Sequence, residues 1–342
     1  MSGRLASAVC AAWAACAVTE AWGAPLLGSS SRLAAADTAA SGAPAPRPLA
    51  ERIRSEDRAT RAEAIEELYA LLKGGDASRE ALDAWFAAAG ERDRPLHLRI
   101  SQATNLMPAA AAPRLIAALS DPSTPVQRRA MEGIVSVGPA ANAAIERLFE
   151  LLLSEEPDVV GPAIVALGAI DREGRLLPRV LAMTKSKDVT ERYAAVELFL
   201  IVYRDHAAER VNDLEPLLDD PEYAVRMTAV QILELPMRDH PALADAMIRL
   251  LRGDPHWIVR YQAASAFGRM ARDLDTLPPL AAEALVWALE TDPRSDVQFA
   301  AVHALGATPK LRRQNQEALE RCVARQSGDV QKLCRGMLTA EP

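Results

Sequence analysis

Most of the chain places apolar and polar residues with the period of an α-helix. In the stretch that begins at Val297, apolar or small residues recur at the start and at four, seven and eight positions beyond it, so they share one helical face. An Asp-Pro pair stands five and four residues before Val297, and the same pair precedes Val126, Val225 and Val259 at the same offset. Looser copies begin at Ala59, Leu98, Val159, Thr190 and Val330. The pattern predicts nine helices, each beginning close to one of these anchor residues.

A second helical pattern lies between successive anchors, for example over 241–252 and 280–290. Two helices and two turns fill a repeat of roughly 33 residues, a length typical of helical repeat arrays. Over 50–342, no segment as long as a β-strand alternates apolar and polar residues, so we expect no sheet. The sequence therefore predicts an all-α solenoid of about eight helical pairs over 50–342, with an extra capping helix at 57–73.

The order Asp-Pro, Val-Arg, Ala-Ala-x-Ala in 254–268 resembles the HEAT-repeat family, particularly its short bacterial form. The resemblance covers about residues 57–338 and implies a right-handed α-solenoid. It also implies that the Asp before an anchor and the Arg after it link neighbouring repeats, a role that falls on Asp220, Arg226, Asp254 and Arg260. The position directly after the anchor, where this Arg stands, is here called the ladder position, and the row of Asp–Arg links is called the ladder. In four repeats the ladder position holds Val160, Glu191, Gln298 or Gln331, so we expect the ladder to be incomplete.

The N-terminus has the features of a secretory signal. Residues 1–23 combine Arg4, an uncharged apolar stretch and small residues at a cleavage site, and 24–49 is an Ala-, Pro- and Ser-rich stretch typical of a disordered linker. We therefore expect a periplasmic or secreted protein. Two alternatives remain open: a lipid anchor at Cys16, and a cytosolic protein with an Ala-rich start.

The cysteines also bear on the compartment. Cys10 and Cys16 would leave with a cleaved signal peptide, and Cys322 and Cys334 then remain. These two flank the turn at 326–329 almost symmetrically, so an antiparallel helix pair would bring them opposite each other. A disulfide there fits an oxidising compartment, and two buried thiols are the alternative.

The sequence offers no catalytic chemistry. It lacks a His-Glu-x-x-His metal motif, a phosphate-binding Gly-x-x-x-x-Gly-Lys loop and a Gly-x-Ser-x-Gly elbow, and its five histidines are far apart. The net charge of −7 argues against nucleic-acid binding, which needs a basic surface. We therefore predict no catalytic residue, no metal, no cofactor and no enzyme activity.

A partner surface is expected on the second helix of each pair, which lines the concave face of such solenoids. Positions two and six past an anchor lie about 200° and 240° around the helix, opposite the buried side. They predict a set of partner-binding residues: Arg128, Arg192, Met227, Tyr261, Phe299 and His303. The alternative is that the rings among them only shield neighbouring repeats. We expect a monomer that binds a protein or peptide segment of some acidic character.

Two functions follow from this sequence. The first is an exported, non-catalytic scaffold that binds another protein through its concave surface. The second rests on the resemblance alone, since phycobilin lyases are similar to this short repeat form and position a tetrapyrrole for attachment to a protein. An export signal argues against the second, because their substrates are handled in the cytosol.

Overall fold

The computed structural model describes residues 47–340, which are helical throughout, without a strand among them. The expected signal peptide, Cys16 and most of the expected linker lie outside the described residues. The described chain divides in sequence after Glu173 into two compact units, here called unit 1 (47–173) and unit 2 (174–340). The all-α class is therefore confirmed, while a single continuous solenoid over 50–342 stays a prediction.

Unit 1 contains four pairs of helices. Their first helices pack against the second helices, and the second helices pack in succession on one another. The eight helices are α1 (Leu49–Ile53), α2 (Arg58–Lys73), α3 (Arg79–Ala87), α4 (Arg94–Thr104), α5 (Ala112–Ala118), α6 (Thr124–Val137), α7 (Ile145–Leu152) and α8 (Pro157–Ile170).

Unit 2 contains five pairs, the last of which has its first helix in two pieces. Its helices are α9 (Leu177–Met183), α10 (Val189–Val202), α11 (Val211–Leu214), α12 (Tyr223–Leu233), α13 (Pro241–Gly253), α14 (Trp257–Leu274), α15 (Pro279–Thr291), α16 (Ser295–Leu305), α17 (Pro309–Gln314), α18 (Gln316–Arg325) and α19 (Gly328–Thr339). Successive second helices pack directly on one another, in the order α10, α12, α14, α16 and α19.

The helical repeat region begins slightly earlier in the chain than the sequence indicated. The expected capping helix is α2, and the Asp57 carboxylate caps it by accepting a hydrogen bond from the Thr60 amide at 2.8 Å. A short helix, α1, precedes it and buries Leu49, which the sequence had assigned to the linker. The eight expected pairs are thus preceded by one more, formed by α1 and α2.

The Asp-Pro pairs of unit 2 lie in turns just before the second helices. Asp220, Asp254 and Asp292 each accept a hydrogen bond from the backbone N–H two residues on, at 2.8 to 2.9 Å. This is the Asx turn, in which a short polar side chain closes a turn of backbone. The carboxylate of each Asp is thereby held in a fixed orientation just before a second helix.

Candidate functional site

Three identical ion pairs link the second helices of unit 2. In each pair, an Arg guanidinium near the start of one second helix makes two nitrogen–oxygen contacts of 2.6 to 3.0 Å with the Asp that precedes the next second helix. The pairs are Arg192–Asp220, Arg226–Asp254 and Arg260–Asp292. Each guanidinium also donates to the carbonyl six residues before it. Bonding to the carboxylates raises the pKa of all three arginines, so the ladder stays charged.

The Arg–Asp ladder implied by the family resemblance is therefore present in unit 2. It also shows that the sequence analysis placed the anchor of one repeat one residue too early. Arg192, predicted as a partner-binding residue, is a ladder residue whose side chain is only 12% exposed. The anchor of that repeat is Glu191, one position later than Thr190, and Glu191 does not occupy the Arg position. Tyr193 consequently takes the outward position that had been assigned to Arg192.

With this register, four second helices of unit 2 present equivalent positions in rows, here called the second-helix face. The first row directly follows the ladder position, the second lies four residues later and the third another four. The first row is Tyr193, Met227, Tyr261 and Phe299; the second is Glu197, Gln231, Ser265 and His303; the third holds Ile201, Leu235 and Arg269. Because α10, α12, α14 and α16 pack in that order, residues of one row are neighbours across the face.

The predicted residues fare differently on this face. Tyr261 is 36% exposed, Phe299 is half-buried and His303 is exposed, so all three are available to a partner. Met227 is buried at 3% exposure, because α12 lies between α10 and α14 and nearly all of it is covered. Met227 is thus removed from the predicted contact surface.

Apolar side chains extend the face beyond the first row. Ile201 on α10 and Leu235, just after α12, are 44% and 46% exposed at equivalent positions. Glu234, next to Leu235, is buried and pairs with two arginines, Arg204 at 2.6 Å and Arg269. The third row therefore offers two exposed apolar groups beside a neutralised carboxylate, an arrangement suited to protein contacts.

Glu197 is a part-buried carboxylate in the second row. Its Oε1 accepts a hydrogen bond from the Thr228 hydroxyl at 3.1 Å, and the Tyr193 side chain also bonds to it. Burial raises the pKa of the Glu197 carboxyl, and the two hydroxyl groups only partly offset this. Burial raises the pKa of Tyr193 as well, so its phenol stays protonated and serves as a donor.

A second set of rings lies at the edge of unit 2 where the second helices begin. Tyr223 stacks on His256 with their centroids 3.8 Å apart, and the Arg294 guanidinium lies 4.5 Å from the Trp257 ring. All four residues lie one or two positions after an Asp-Pro pair. The two ring contacts therefore join successive Asp-Pro turns beside the ladder. Desolvation lowers the pKa of His256, which therefore stays neutral at physiological pH.

The remaining predicted residue, Arg128, is exposed on α6 of unit 1. The next residue, Arg129, is buried and lies 5.3 Å from the Trp85 ring. The ladder position of this helix is occupied by Gln127 instead of an arginine. The Gln127 side-chain amide donates to the Asp121 carbonyl at 2.8 Å. Arg128 is thus an exposed cation of unit 1.

Over 47–340, His, Cys, Asp and Glu side chains nowhere gather in a group of three that could hold a metal ion. In the same range, no helix is both long and apolar enough to cross a bilayer. The best-defined surfaces of unit 2 are its ladder, which is internally satisfied, and its second-helix face.

The comparison with family models decides the classification. A model described as HEAT repeats matches residues 112–199 and 211–306, more than half of the chain. The chain belongs to the HEAT-repeat family. The Asp-Pro turns and Arg–Asp pairs described above are therefore the features by which one HEAT repeat of unit 2 is joined to the next.

Solved structures agree on the fold. The karyopherin Kap121p bound to the extreme C-terminus of the protein phosphatase Cdc14p has a TM-score of 0.51 and 16% sequence identity, covering 84% of this chain and 37% of that one. Kap121p bound to Pho4p gives 0.50 and 16%, covering 85% and 37%. This chain thus spans little more than a third of the karyopherin. Among curated proteins, none matches the chain.

Proposed function

We propose that this HEAT-repeat protein is a non-catalytic scaffold that binds a protein or peptide segment through the second-helix face of unit 2. The observation that carries the proposal is the alignment of Tyr193, Tyr261 and Phe299 at one register position on second helices, with exposed Ile201 and Leu235 two turns further along. Aromatic side chains contribute much of the binding energy at protein interfaces when a partner covers them.

Two further facts support a binding role. The polar groups that hold the repeats together are satisfied among themselves in the ladder, so they do not compete with a partner. The structural neighbours named above bind protein segments, as their descriptions state, on the same kind of helical array. A stack of repeats offers a broad surface for an extended segment, and small-molecule chemistry needs no such surface.

The test is quantitative affinity capture from the native host, with the wild-type chain and a Tyr261→Ala/Phe299→Ala variant. Losing two aromatic contacts should reduce the captured partner at least tenfold, since hot-spot truncations cost about 2 kcal/mol or more each. Trp287→Ala is the matched control, because Trp287 is 38% exposed and lies on the first helix α15. An equal loss of partner from both variants, or from neither, would contradict the proposal.

We also propose that the protein is exported. Supporting this, α18 and α19 carry Cys322 and Cys334 with their sulfur atoms 1.98 Å apart, a disulfide that an oxidising compartment permits. Intact mass of protein from its own host tests this. A chain beginning at Ala24 and carrying the disulfide is the expected result, whereas a lipid on Cys16 would indicate a membrane-anchored scaffold. A full-length chain with free thiols would contradict export.

A further inference from the structure

Glu197 is half-buried and, unlike the buried carboxylates of unit 2, it has no ion-pair partner among residues 47–340. Asp220, Asp254 and Asp292 each face one guanidinium, and Glu234 faces two. The groups that act on Glu197 among the described residues are the hydroxyls of Thr228 and Tyr193, both neutral donors. A carboxylate held in a desolvated place without a counter-charge is unfavourable, so such a group favours the arrival of a cation.

The surroundings of Glu197 determine what kind of cation fits. Tyr193 lies one helical turn before it on α10, and Ile201 lies one turn after it at 44% exposure. Leu235 stands in the same row as Ile201, beyond the end of the neighbouring α12. A cation reaching Glu197 would therefore pass between an aromatic ring and exposed aliphatic groups, which suits a side chain with an apolar stem and a charged tip.

This chemistry favours a different partner from the acidic segment expected from the sequence. An acidic segment was expected because of Arg128 and Arg192, but Arg192 is neutralised by Asp220 and Arg128 lies in unit 1. On the second-helix face, Arg269 is likewise occupied by Glu234. The unpaired charge left on the face is that of Glu197, which is negative.

We propose that Glu197 receives an Arg or Lys side chain from the bound segment, whose apolar neighbours pack on Tyr193, Ile201 and Leu235. This inference rests on the proposed protein-binding function and specifies its partner as a basic–apolar segment. The guanidinium or ammonium group replaces water at the carboxylate and forms charge-assisted hydrogen bonds, while the Thr228 and Tyr193 hydroxyls keep the carboxylate oriented.

The test uses the full chain and immobilised heptapeptides whose central residue is Arg, Lys, citrulline or Glu, flanked by Leu, Ile or Phe. Citrulline has the shape of Arg without its charge. The wild-type chain should bind Arg and Lys peptides about tenfold or more tightly than citrulline peptides, the gain of a charge-assisted hydrogen bond. Glu197→Gln keeps an acceptor for the two hydroxyls and should bring the Arg-to-citrulline ratio close to one.

The control is Glu283→Gln, which neutralises an exposed carboxylate on α15 and should leave the ratio unchanged. Circular dichroism and a thermal melt of Glu197→Gln verify that the variant is folded. An undiminished Arg preference in Glu197→Gln overturns the inference, as does the absence of Arg preference or of any peptide binding in the wild type. Binding that falls in Tyr261→Ala/Phe299→Ala but ignores the central charge overturns this inference alone and leaves the proposed function standing.

Discussion

The two units contain the same kind of helical repeat, but different side-chain interactions link their successive second helices. In unit 2, four successive second helices are linked by three Arg–Asp pairs of one geometry, with the carboxylates 1% to 6% exposed. In unit 1, Arg61 pairs with Glu91 at 2.8 Å and Arg58 with Asp93 at 2.7 Å, while the ladder positions of α6 and α8 hold Gln127 and Val160. A motif found throughout the sequence therefore does not imply the same interaction in every repeat.

Unit 1 has a packed aromatic cluster where unit 2 has its ladder. Trp85 is fully buried, and its indole N–H donates to the Thr104 hydroxyl at 2.9 Å. The buried Arg129 lies against the Trp85 ring and donates to the Ala88 carbonyl at 3.1 Å, while burial lowers its pKa. The comparison teaches that a HEAT repeat can hold a buried ring beside a guanidinium, with Arg129 paired to Glu132 on its own helix, where another repeat has an Arg–Asp link to the next helix. The following variants test that difference, from the largest effect to the smallest.

The largest effect is expected from Trp85→Ala. The change removes a buried ring, takes the indole donor from the Thr104 hydroxyl and removes the ring beside the Arg129 guanidinium, so the free energy of unfolding should fall by about 3–5 kcal/mol. Urea unfolding followed by circular dichroism measures it, and amide exchange should quicken within 47–173. Trp287→Ala, at an exposed ring, should change stability by no more than about 0.5 kcal/mol.

Removing the middle rung of the ladder tests unit 2. Arg226→Ala leaves Asp254, with a side chain 2% exposed, as an uncompensated buried charge and should cost about 3–5 kcal/mol. The same urea titration measures the loss, and Arg252→Ala is the control, because Arg252 is an exposed residue of α13. A loss below about 0.5 kcal/mol, close to that of an exposed ion pair, would show that the ladder contributes nothing.

Two helix-interior glycines should respond with opposite signs. A Cβ at Gly133 of unit 1 would lie 2.6 Å from a Leu115 methyl carbon and 3.0 Å from the Trp85 ring, so Gly133→Ala should destabilise by about 1–3 kcal/mol. At Gly268 of unit 2 the closest atoms, those of Ala304, are 3.6 Å away. Gly268→Ala should therefore stabilise by about 0.5–1 kcal/mol, as expected for a helix interior. Equal signs in thermal melts would contradict the packing described for the two units.

The smallest effect is a pH dependence at Glu197. Its folded-state pKa is raised above the ordinary 4.5, so the folded chain binds this proton more tightly and loses stability as pH rises through that window. Glu197→Gln cannot ionise and should be more stable than the wild type at pH 8. The difference should shrink as pH falls toward 4, which urea titrations at several pH values would follow. A difference independent of pH would contradict the assigned burial of the charge.

The fold was readable from the sequence because each repeat carries its own signals. The helical period and the Asp-Pro turns located the second helices of unit 2 to within a few residues, and the family resemblance gave the roles of Arg226 and Asp254. The weak repeat at 186–202 has Ser186 in place of the Asp, so its register slipped by one residue. That single slip assigned Arg192 to the surface and missed Tyr193 and Glu197.

Other features depend on distances that no pattern encodes. Met227 occupies an outward position by periodicity but is only 3% exposed, and every residue of α12 from Ala224 to Leu233 is buried with it. Trp85, Thr104 and Arg129 come from three different helices and meet only after the helices have packed. The lack of a cation at Glu197 likewise becomes visible only when its neighbours are placed. Aligning the repeats on Arg192 as a ladder residue is the one signal that could have found Tyr193 beforehand.

The most direct test of the central claim is site-specific photo-crosslinking in the native host. A benzophenone side chain replaces Tyr261 on the second-helix face in one variant and Trp287 on α15 in another; these residues are 36% and 38% exposed in the native chain. The account predicts a discrete cross-linked protein from position 261 that is absent from position 287. Cross-links to the same protein from 287 and none from 261 would contradict it.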